Sequence, residues 1–419
     1  MKIFDLHELF LEQNQNFTTD TRKITKGSIF FALKGDNFNG NEFAAQALEN
    51  GAAYVVIDDA AYYDNTKTIL VNNVLETLQR LAFYHREHLN LPIIALTGSN
   101  GKTTTKELIK AVLATQFNIT ATAGNLNNHL GVPFTLLSMT PETQIGIVEM
   151  GANHLNEIAT LSYIAAPNFG YITNFGKAHI EGFGSEEGIV QGKSELYNYL
   201  ANAEGIAFVN EENKRQLEMS DLCDQIFIKP SETPLIDLTP FVKINYKETA
   251  IESKLIGKYN YTNILAAISI GEYFGIEENN IKKAIENYTP TNNRSQIIEK
   301  NGNQIILDAY NANPSSMVAA LDNLNSLKAT DKAVILGDMF ELGDTAPKEH
   351  LNIVNKVLEQ EYMTVIFVGE NFYKHKNNNA LFFKNYDELK NYQTLNITES
   401  TLLIKGSRGM ALERVLDII

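Results

Sequence analysis

Short apolar stretches bounded by Gly, Asp or Asn recur along the whole chain and predict buried β-strands. They cover residues 28–33, 53–57, 93–96, 145–148, 333–336, 364–368 and 402–404. Between them lie segments whose apolar residues are three and four positions apart, as on one face of a helix. These segments are 41–49, 74–88, 103–115, 263–274, 315–327 and 350–358. Strands that alternate with helices predict parallel, doubly wound α/β sheets.

The length and two interruptions of this pattern predict three domains. At 419 residues, the chain exceeds the roughly 100 to 200 residues of one domain. One predicted helix ends at the turn Asn90, Leu91, Pro92, and the segment around Pro290 interrupts the alternation again. We therefore expect domains over residues 1–90, 91–290 and 291–419.

The composition excludes several classes of partner. Lys and Arg total 35 against 50 Asp and Glu, which gives a net charge of −15. This sign is wrong for a protein whose main partner is DNA or an anionic membrane, so we expect no nucleic-acid or membrane partner. Cys223 is the one cysteine and no apolar run of ~18 residues occurs, which predicts a cytoplasmic protein. Anionic ligands must then be bound by local groups.

The strongest chemical motif is the segment 91–107, LPIIALTGSNGKTTTKE, where an apolar strand leads into a Gly-containing loop and a helix. This order predicts a phosphate-binding loop, in which backbone N–H groups and the positive helix end hold the phosphates. Lys102 would neutralise charge, and Thr103 would offer its hydroxyl to Mg²⁺. Leu96 stands where the general pattern has its first Gly, so the match is to a shorter loop, Gly98 to Thr103. The alternative is a Gly-rich turn that caps an ordinary helix.

Two further segments contain residues with suitable chemistry. Glu149 follows an apolar strand, where a carboxylate is well placed to hold Mg²⁺ beside a phosphate loop. The alternative for Glu149 is a solvated loop residue. His179 and Lys193 stand fourteen positions apart around a Gly-rich turn, in TNFGKAHIEGFGSEEGIVQGK. Alone, either residue would be structural or solvated in most proteins.

Several blocks, taken in order, resemble the motifs of the Mur ligases. They are TGSNGKTTTKE, GNLNNHLGVP, EMGANH, the NFGKAHIEGFGSEEGI stretch that leads to Lys193, LDAYNANPSSMVAAL, LGDMFELGD and KGSRGM. The YNANP, LGDM-ELG and KGSRG blocks resemble the member of the family that adds D-alanyl-D-alanine. Near the N-terminus, TTDTRKITKGSIFFALKGDNFNGNEF resembles the segment that helps to hold the UDP-sugar of the substrate. The resemblance covers essentially the whole chain.

This resemblance implies a fold and a reaction. The fold would have a central P-loop ATPase domain with a doubly wound sheet, a C-terminal Rossmann-like domain and a smaller N-terminal α/β domain for the UDP substrate. ATP would phosphorylate the terminal carboxylate of UDP-N-acetylmuramoyl-tripeptide, and the amine of D-alanyl-D-alanine would attack the acyl phosphate. The product would be the UDP-muramoyl-pentapeptide of peptidoglycan synthesis, and we expect a monomeric enzyme.

The resemblance also implies the residues of the nucleotide site. The ATP site would comprise Gly98, Ser99, Asn100, Gly101, Lys102, Thr103, Thr104, Asn260, Asn263, Arg294 and Asp308. A helix N-cap is the alternative for Asn263, and a surface position at a domain boundary is the alternative for Arg294. Tyr259 stands where the family often has His, which argues against an imidazole role there.

The metal and catalytic residues come from the same resemblance. Thr103 and Glu149 would hold a first Mg²⁺, and His179 would hold a second. Lys193 matches a lysine that is carbamylated in this family, and the modification creates an anionic oxygen donor of the kind that Mg²⁺ prefers. Lys102, His179 and Lys193 would thus be the catalytic residues.

The substrate residues are assigned by resemblance as well. Asn127 and Asn128 would lie near the reacting carboxylate, and Thr21 and Arg22 at the UDP-sugar end. The dipeptide side or domain closure would use Asn311, Asn313, Lys405, Ser407 and Arg408. The alternatives are ordinary Asn-rich turns and a solvent-facing Arg22. Thr21 replaces the Ser that is common in the family and keeps its hydroxyl.

Two other functions are compatible with parts of the pattern. Another Mur-type ligase, such as the third-residue-adding enzyme or a folylpolyglutamate synthase, would share ATP, Mg²⁺ and the acyl phosphate. We would not expect the YNANP and LGDMFELG blocks in that enzyme. A P-loop ATPase without ligase activity would explain the phosphate loop and Glu149, but would leave His179, Lys193 and the C-terminal motifs without a purpose.

Overall fold

The computed structural model describes residues 1–64, 66–291, 293–392 and 397–419. Each predicted apolar stretch forms a strand, and each predicted helical segment contains a helix. Two helices begin five and four residues earlier than predicted, at Lys258 and at Ala346. The segment 41–49 begins as a 3-10 turn, Gly40–Phe43, because the Asn39 side chain accepts a hydrogen bond from the backbone N–H of Asn41. The prediction of an α/β fold is confirmed.

The N-terminal part of the chain builds a small parallel sheet covered by helices. Its helices are α1 (Ile3–Glu12), α2 (Ala44–Glu49) and α3 (Val74–Leu89). Its strands are β1 (Phe17–Thr18), β2 (Ile29–Phe31), β3 (Lys34–Gly35), β4 (Phe38–Asn39), β5 (Tyr54–Ile57) and β6 (Thr68–Leu70). The sheet order is β1-β2-β5-β6, with parallel pairs, while β3 and β4 form an antiparallel hairpin. Alanines of α2 pack on Phe30 and Val55 of this sheet.

The middle of the chain is organised around a second sheet with the order β12-β11-β10-β7-β9-β8. These strands are β7 (Ile93–Thr97), β8 (Ile119–Ala121), β9 (Ile145–Glu149), β10 (Phe169–Ile172), β11 (Ile206–Asn210) and β12 (Asp224–Ile228). Every residue of β7 and β9 is buried, as expected for parallel strands covered on both faces. An antiparallel sheet follows, with strands β13 (Leu235–Asp237), β14 (Lys243–Tyr246) and β15 (Thr249–Glu252).

The helices of this middle part are fixed by local caps as well as by packing. They are α4 (Lys102–Leu113), α5 (Gly131–Leu137), α6 (Glu157–Ala165), α7 (Ile180–Phe183), α8 (Glu186–Asn202), α9 (Lys214–Met219), α10 (Lys258–Tyr273) and α11 (Glu278–Asn287). The Ser185 hydroxyl accepts a hydrogen bond from the backbone of Gly188 and thereby satisfies a free N–H group at the start of α8.

The C-terminal part forms a third sheet with helices on both faces. Its strands are β16 (Gln296–Lys300), β17 (Asn303–Asp308), β18 (Lys332–Gly337), β19 (Thr364–Val368), β20 (Leu381–Phe383) and β21 (Thr401–Lys405), in the order β16-β17-β21-β18-β19-β20. Its helices are α12 (Pro314–Ser326), α13 (Ala346–Leu358), α14 (Glu370–Tyr373) and α15 (Tyr386–Lys390). Only the edge strand β16 runs antiparallel to its neighbour. Ligands of such sheets bind at the carboxyl ends of the strands, where Asp308 and Lys405 lie.

The chain divides into two compact units. One comprises Met1–Ala95, Phe117–Gly151 and Ala159–Phe169, and the other Leu96–Gln116, Ala152–Ile158 and Gly170–Ile419. The domain boundaries near residues 90 and 290 stay predictions. Within the described residues, no helix combines the length and the apolar character needed to cross a membrane.

Two buried histidines connect α1 to α3. His7 Nε2 lies 2.9 Å from His85 Nδ1, and His85 Nε2 lies 2.9 Å from the carbonyl oxygen of Met139. A carbonyl only accepts, so His85 Nε2 carries a proton and His7 Nε2 donates to His85 Nδ1. Burial, together with repulsion from His85 and His88, lowers the pKa of His7 to about 4. Both imidazoles are therefore neutral in the folded chain at neutral pH.

Acidification should destabilise the fold through His7. The unfolded chain protonates this histidine near pH 6.5, whereas the folded chain keeps it neutral down to about pH 4. The unfolded state then binds more protons, so the free energy of unfolding should fall by up to roughly 3 kcal/mol across this interval. Urea unfolding at several pH values measures the change. The variant His7→Gln keeps an N–H donor but does not titrate. If its free energy of unfolding falls equally steeply with pH, the effect does not come from His7.

Candidate active site

Two glycines shape the loop between β7 and α4. Gly98 has a φ of +138°, and a Cβ atom at this position would lie 2.0 Å from Thr173 Oγ1. Gly101 has a φ of +81°, and a Cβ atom there would lie 2.8 Å from Asn263 Oδ1. Only glycine fits both the left-handed backbone and the close approach. The loop of the predicted phosphate motif is thus held tightly against its neighbours.

The residues that follow β10 hold this loop by hydrogen bonds. The carbonyl oxygen of Asn100 accepts from Thr173 Oγ1 at 2.6 Å and from Asn174 Nδ2 at 2.9 Å. The backbone N–H of Ser99 donates to the carbonyl of Asn174 at 3.0 Å, and Ser99 Oγ donates to that of Gly176 at 2.6 Å. These supporting residues were not predicted from the sequence, although their position directly after an apolar strand was an available signal.

Lys102 and the threonines begin helix α4. Lys102 Nζ donates to the carbonyl oxygen of Gly98 at 2.6 Å, which places the ammonium group over the loop. Thr103 is buried and Thr104 is half-buried in the first turn of the helix. The arrangement combines backbone N–H groups, a helix N-terminus and a cation, which together suit an anionic phosphate. The predicted phosphate-loop residues are therefore brought together.

Asn260 and Asn263 support the loop from helix α10. Asn263 is an interior residue of this helix, so the alternative of a helix N-cap is wrong. Its Oδ1 accepts from Thr105 Oγ1 at 3.0 Å, and its Nδ2 donates to Asn260 Oδ1 at 2.8 Å. Asn260 Nδ2 donates in turn to the carbonyl of Ile256 at 2.8 Å. These buried amides connect α10 to α4 rather than facing solvent.

Lys193 is fully buried in helix α8. Its Nζ donates to the carbonyl oxygen of Ala152 at 2.9 Å and lies 4.9 Å from the centroid of the Phe183 ring. Burial, with a further contribution from the charge of Lys102, lowers the pKa of Lys193 well below its ordinary value. A depressed pKa leaves a neutral amine, and the neutral amine is the form that reacts with carbon dioxide.

His179 lies at the start of the short helix α7 and contacts a carboxylate. It adopts a left-handed backbone with a φ of +55°, and its Nδ1 contacts Glu341, which has a φ of +60°. The hydrogen bond from His179 lowers the pKa of Glu341. Non-glycine residues in this backbone region are concentrated at functional sites. Glu341 was not among the site residues predicted from the sequence.

Glu149 is buried at the end of β9, so the alternative of a solvated loop residue is wrong. Its Oε1 accepts from Asn127 Nδ2 at 2.8 Å. The carbonyl of Asn127 accepts from the backbone N–H of Gly151 at 2.7 Å. Asn128 instead stabilises the turn in which it lies, because its Oδ1 accepts a hydrogen bond from the backbone N–H of Gly131 at 2.9 Å.

A second polar network lies at the carboxyl ends of β17 and β21. Lys405 Nζ donates to Asp308 Oδ2 at 2.5 Å and to the carbonyl of Asn311 at 3.2 Å. Ser295 donates its backbone N–H to Asp308 Oδ1 at 3.0 Å, and its hydroxyl lies 2.7 Å from the hydroxyl of Tyr259. Burial raises the pKa of Tyr259, so this residue contributes a neutral hydroxyl in place of the imidazole common in the family. Residues assigned to the nucleotide and to the dipeptide thus form one network.

The remaining C-terminal residues have distinct surroundings. The Arg294 guanidinium lies 3.6 Å from the centroid of the Tyr310 ring, and its Nε is buried without a hydrogen-bond partner among the described residues. Ser407 is buried and accepts from the backbone N–H of Phe340 at 2.9 Å. Arg408 is exposed and pairs with Glu413 at 2.9 Å. The Nε of Arg294 is thus a buried donor that a ligand oxygen would satisfy.

Arg22 faces solvent, which agrees with the alternative to its predicted role at the UDP-sugar end. Its side chain is 87% exposed and pairs with Asp20 at 2.9 Å, and this hydrogen bond lowers the pKa of Asp20 to about 2. Thr21 is half-buried beside it.

The donor set suits Mg²⁺ only in combination with a phosphate. In the parts of the chain that the structure describes, no group of three or more His, Cys, Asp or Glu side chains is placed to hold a metal ion. Mg²⁺ typically binds through one or two protein oxygen ligands together with phosphate oxygens and water. The Thr103 hydroxyl, in the first turn behind the loop, fits that pattern.

Parallel α/β sheets with a glycine-shaped phosphate loop define the class of nucleotide-binding α/β proteins. The chain matches the Mur ligase family catalytic domain over residues 15–86, the Mur ligase middle domain over residues 96–271 and the Mur ligase glutamate ligase domain over residues 293–407. This protein belongs to the Mur ligase family, as the sequence motifs predict.

Relatives and solved structures agree with this assignment. The UDP-N-acetylmuramoyl-tripeptide–D-alanyl-D-alanine ligase of Bacillus subtilis is 35% identical over 96% of this chain and 92% of its own length. The ligase of the same name from Escherichia coli is 32% identical over 95% and 92%. A crystal structure of MurF from Acinetobacter baumannii superposes with a TM-score of 0.87 at 29% identity, covering 98% of this chain and 97% of that one. The predicted three-domain α/β architecture is confirmed by this likeness.

Replacement of Gly98 should distort the backbone of the phosphate loop. Gly98→Ala would place a methyl group against Thr173, so affinity for ADP should fall roughly tenfold or more. Isothermal titration calorimetry measures the affinity. Gly275→Ala is the control, because Gly275 also has a positive φ, of +75°, but no atom lies within 4 Å of a Cβ atom there. Equal affinities of the two variants would contradict the role of the close approach.

Proposed function

We propose that this protein is an ATP-dependent ligase that joins D-alanyl-D-alanine to UDP-N-acetylmuramoyl-tripeptide in the cytoplasm. The observation that carries the proposal is similarity over nearly the full length to ligases with this activity in their names. The phosphate loop supports the proposal, because a ligase that activates a carboxylate must first bind ATP. The product is the UDP-muramoyl-pentapeptide used in peptidoglycan synthesis.

The chemistry requires activation of a carboxylate. A carboxylate is a poor electrophile, so transfer of the γ-phosphoryl group of ATP converts it to an acyl phosphate with a good leaving group. The amine of D-alanyl-D-alanine then attacks the acyl carbon, and phosphate leaves as the amide forms. Backbone N–H groups of the loop and Lys102 hold the phosphates in place and offset their negative charge.

Mg²⁺, when bound, would neutralise phosphate charge and orient the phosphoryl group. Two Mg²⁺ ions are proposed from the family resemblance, with Thr103, Glu149, His179 and a carbamylated Lys193 as ligands. The buried position of Lys193 supports this assignment, because its depressed pKa favours the neutral amine. Addition of that amine to carbon dioxide releases one proton and converts a neutral amine into an anionic oxygen donor.

The remaining assignments concern the nucleotide and the substrates. For ATP we propose Gly98, Ser99, Asn100, Gly101, Thr104, Asn260, Asn263, Arg294 and Asp308. For the UDP-sugar end we propose Thr21 and Arg22, and for the reacting carboxylate Asn127 and Asn128. For the dipeptide side we propose Asn311, Lys405, Ser407 and Arg408. For the dipeptide side or domain closure we also propose Asn313.

The reaction predicts a strict substrate requirement for phosphate release. Purified protein with ATP and Mg²⁺ should release phosphate only when both UDP-N-acetylmuramoyl-tripeptide and D-alanyl-D-alanine are present, and mass spectrometry should detect the pentapeptide product. Release with neither substrate would favour an ATPase without ligase activity. If the protein is active only when another amine replaces D-alanyl-D-alanine, the proposed mechanism stands and the proposed amine substrate is wrong.

Lys193→Ala should lower activity roughly 100-fold, because an oxygen ligand and its charge are lost. A short carboxylic acid such as acetate should restore part of the activity by occupying the vacated space, and should not stimulate the unsubstituted enzyme. Carbon-13 NMR after incubation with labelled bicarbonate should show a carbamate signal that the variant lacks. Full activity of the variant, or the same signal in both proteins, would refute the carbamate.

A further inference from the structure

We propose that Asn313 and Ser315 are positioning residues for the phosphate loop, which hold the side chain of Asn100 in the orientation that binds nucleotide. We call Asn100, Asn313 and Ser315 the amide latch. The proposal rests on the proposed function only in that the loop binds ATP. It gives Asn313 a further task at the nucleotide end of the site.

The three side chains of the amide latch form a closed ring of hydrogen bonds. Asn313 Nδ2 donates to Asn100 Oδ1 at 2.8 Å, and Asn100 Nδ2 donates to Ser315 Oγ at 3.0 Å. Ser315 Oγ donates its single proton to Asn313 Oδ1 at 2.9 Å. Each of the three side chains therefore donates one hydrogen bond and accepts one within the ring.

The start of helix α12 determines the direction of this ring. Asn313 is the N-cap of α12, and its Oδ1 also accepts from the backbone N–H of Ser316 at 2.9 Å. A backbone N–H can only donate, so this side of the amide must be the oxygen. The amide nitrogen of Asn313 then faces Asn100, and Asn100 must present its own oxygen to it. The helix cap thus orients a side chain of the phosphate loop.

Asn100 is consequently held at both its main chain and its side chain. Its carbonyl oxygen accepts from Thr173 and Asn174, as described above, while its amide joins the latch. Gly176 leaves the space for this arrangement, because a Cβ atom there would lie 2.6 Å from Ser315 Oγ and 2.9 Å from Asn100 Nδ2. Three segments that are distant in the sequence therefore converge on one residue of the loop.

A loop that is ordered before its ligand arrives binds more tightly, because the ligand does not have to supply the cost of ordering it. The latch orders the loop from residues more than two hundred positions away along the chain. Linkage is reciprocal, so nucleotide bound to the loop should also favour the closed ring of the latch. The start of α12 would then respond to nucleotide occupancy before the dipeptide reacts.

The test compares two neighbouring serines of helix α12. Ser315→Ala removes a hydroxyl of the latch itself. Ser316→Ala removes a hydroxyl that, among the described residues, bonds to the backbone of Asn313 alone. By calorimetry, ADP should bind Ser315→Ala roughly three- to tenfold more weakly than the unsubstituted protein, and Ser316→Ala should change the affinity by less than about twofold. In steady-state kinetics, the KM for ATP should rise in Ser315→Ala while the KM for D-alanyl-D-alanine stays the same.

A double-mutant cycle with Asn100→Ala completes the test. If Ser315 acts through Asn100, the double variant should bind ADP with the same affinity as the single variant that binds ADP less tightly. Equal affinities of Ser315→Ala and Ser316→Ala, or fully additive losses in the cycle, would overturn the latch while leaving the proposed function intact. Failure of the unsubstituted protein to bind ADP would overturn the proposed function and the latch together.

Discussion

The close approach between the phosphate loop and the end of β10 is the contact on which the candidate site depends. A side chain at Gly98 would collide with Thr173, and the next peptide units of the loop are bound by Thr173 and Asn174. This contact sets the path of the chain from β7 into α4. The first turn of α4, with Lys102 and Thr103, is placed by that path. The remaining parts of the site are thus arranged around a loop whose backbone conformation is fixed.

Two buried lysines show how the surroundings of a side chain determine its chemistry. Lys405 is buried against the carboxylate of Asp308, to which its Nζ donates a hydrogen bond. Lys193 is buried against a backbone carbonyl and an aromatic ring, and its charge is disfavoured. The same type of side chain thus forms an ion pair in one place and is held as a neutral amine in the other.

The sequence predicted those features that depend on local constraints. Strands β7 and β9 are buried on both faces, so each has a continuous apolar run that is visible in the sequence. The phosphate loop is predictable because Gly98 and Gly101 meet a strict steric requirement. The start of α10 was misplaced because the helix begins at Lys258, after Gly257 with a φ of +84°, before any apolar periodicity is visible.

Contacts between distant residues could not be predicted in the same way. Asn100 and Asn313 are each plausible polar loop residues, and nothing in a single sequence indicates that their amides bond to each other. The role of Lys193 came from family resemblance, since its burial is a property of the folded chain. The burial of Glu149 likewise depends on neighbours, such as Asn127, that are distant in the sequence.

The convergence of three segments on Asn100 limits how freely the chain can be recombined. Helix α12 is compact and could be treated as part of an interchangeable module in chimeras of related ligases. Its cap, however, shares hydrogen bonds with the phosphate loop, and the backbone at Gly176 leaves room for no side chain beside them. A chimera that takes its C-terminal part from another ligase therefore has to inherit residues 98–101, 173–176 and 313–316 from one parent. Otherwise, each half could fold, but the hydrogen bonds between the phosphate loop and the start of α12 would be lost.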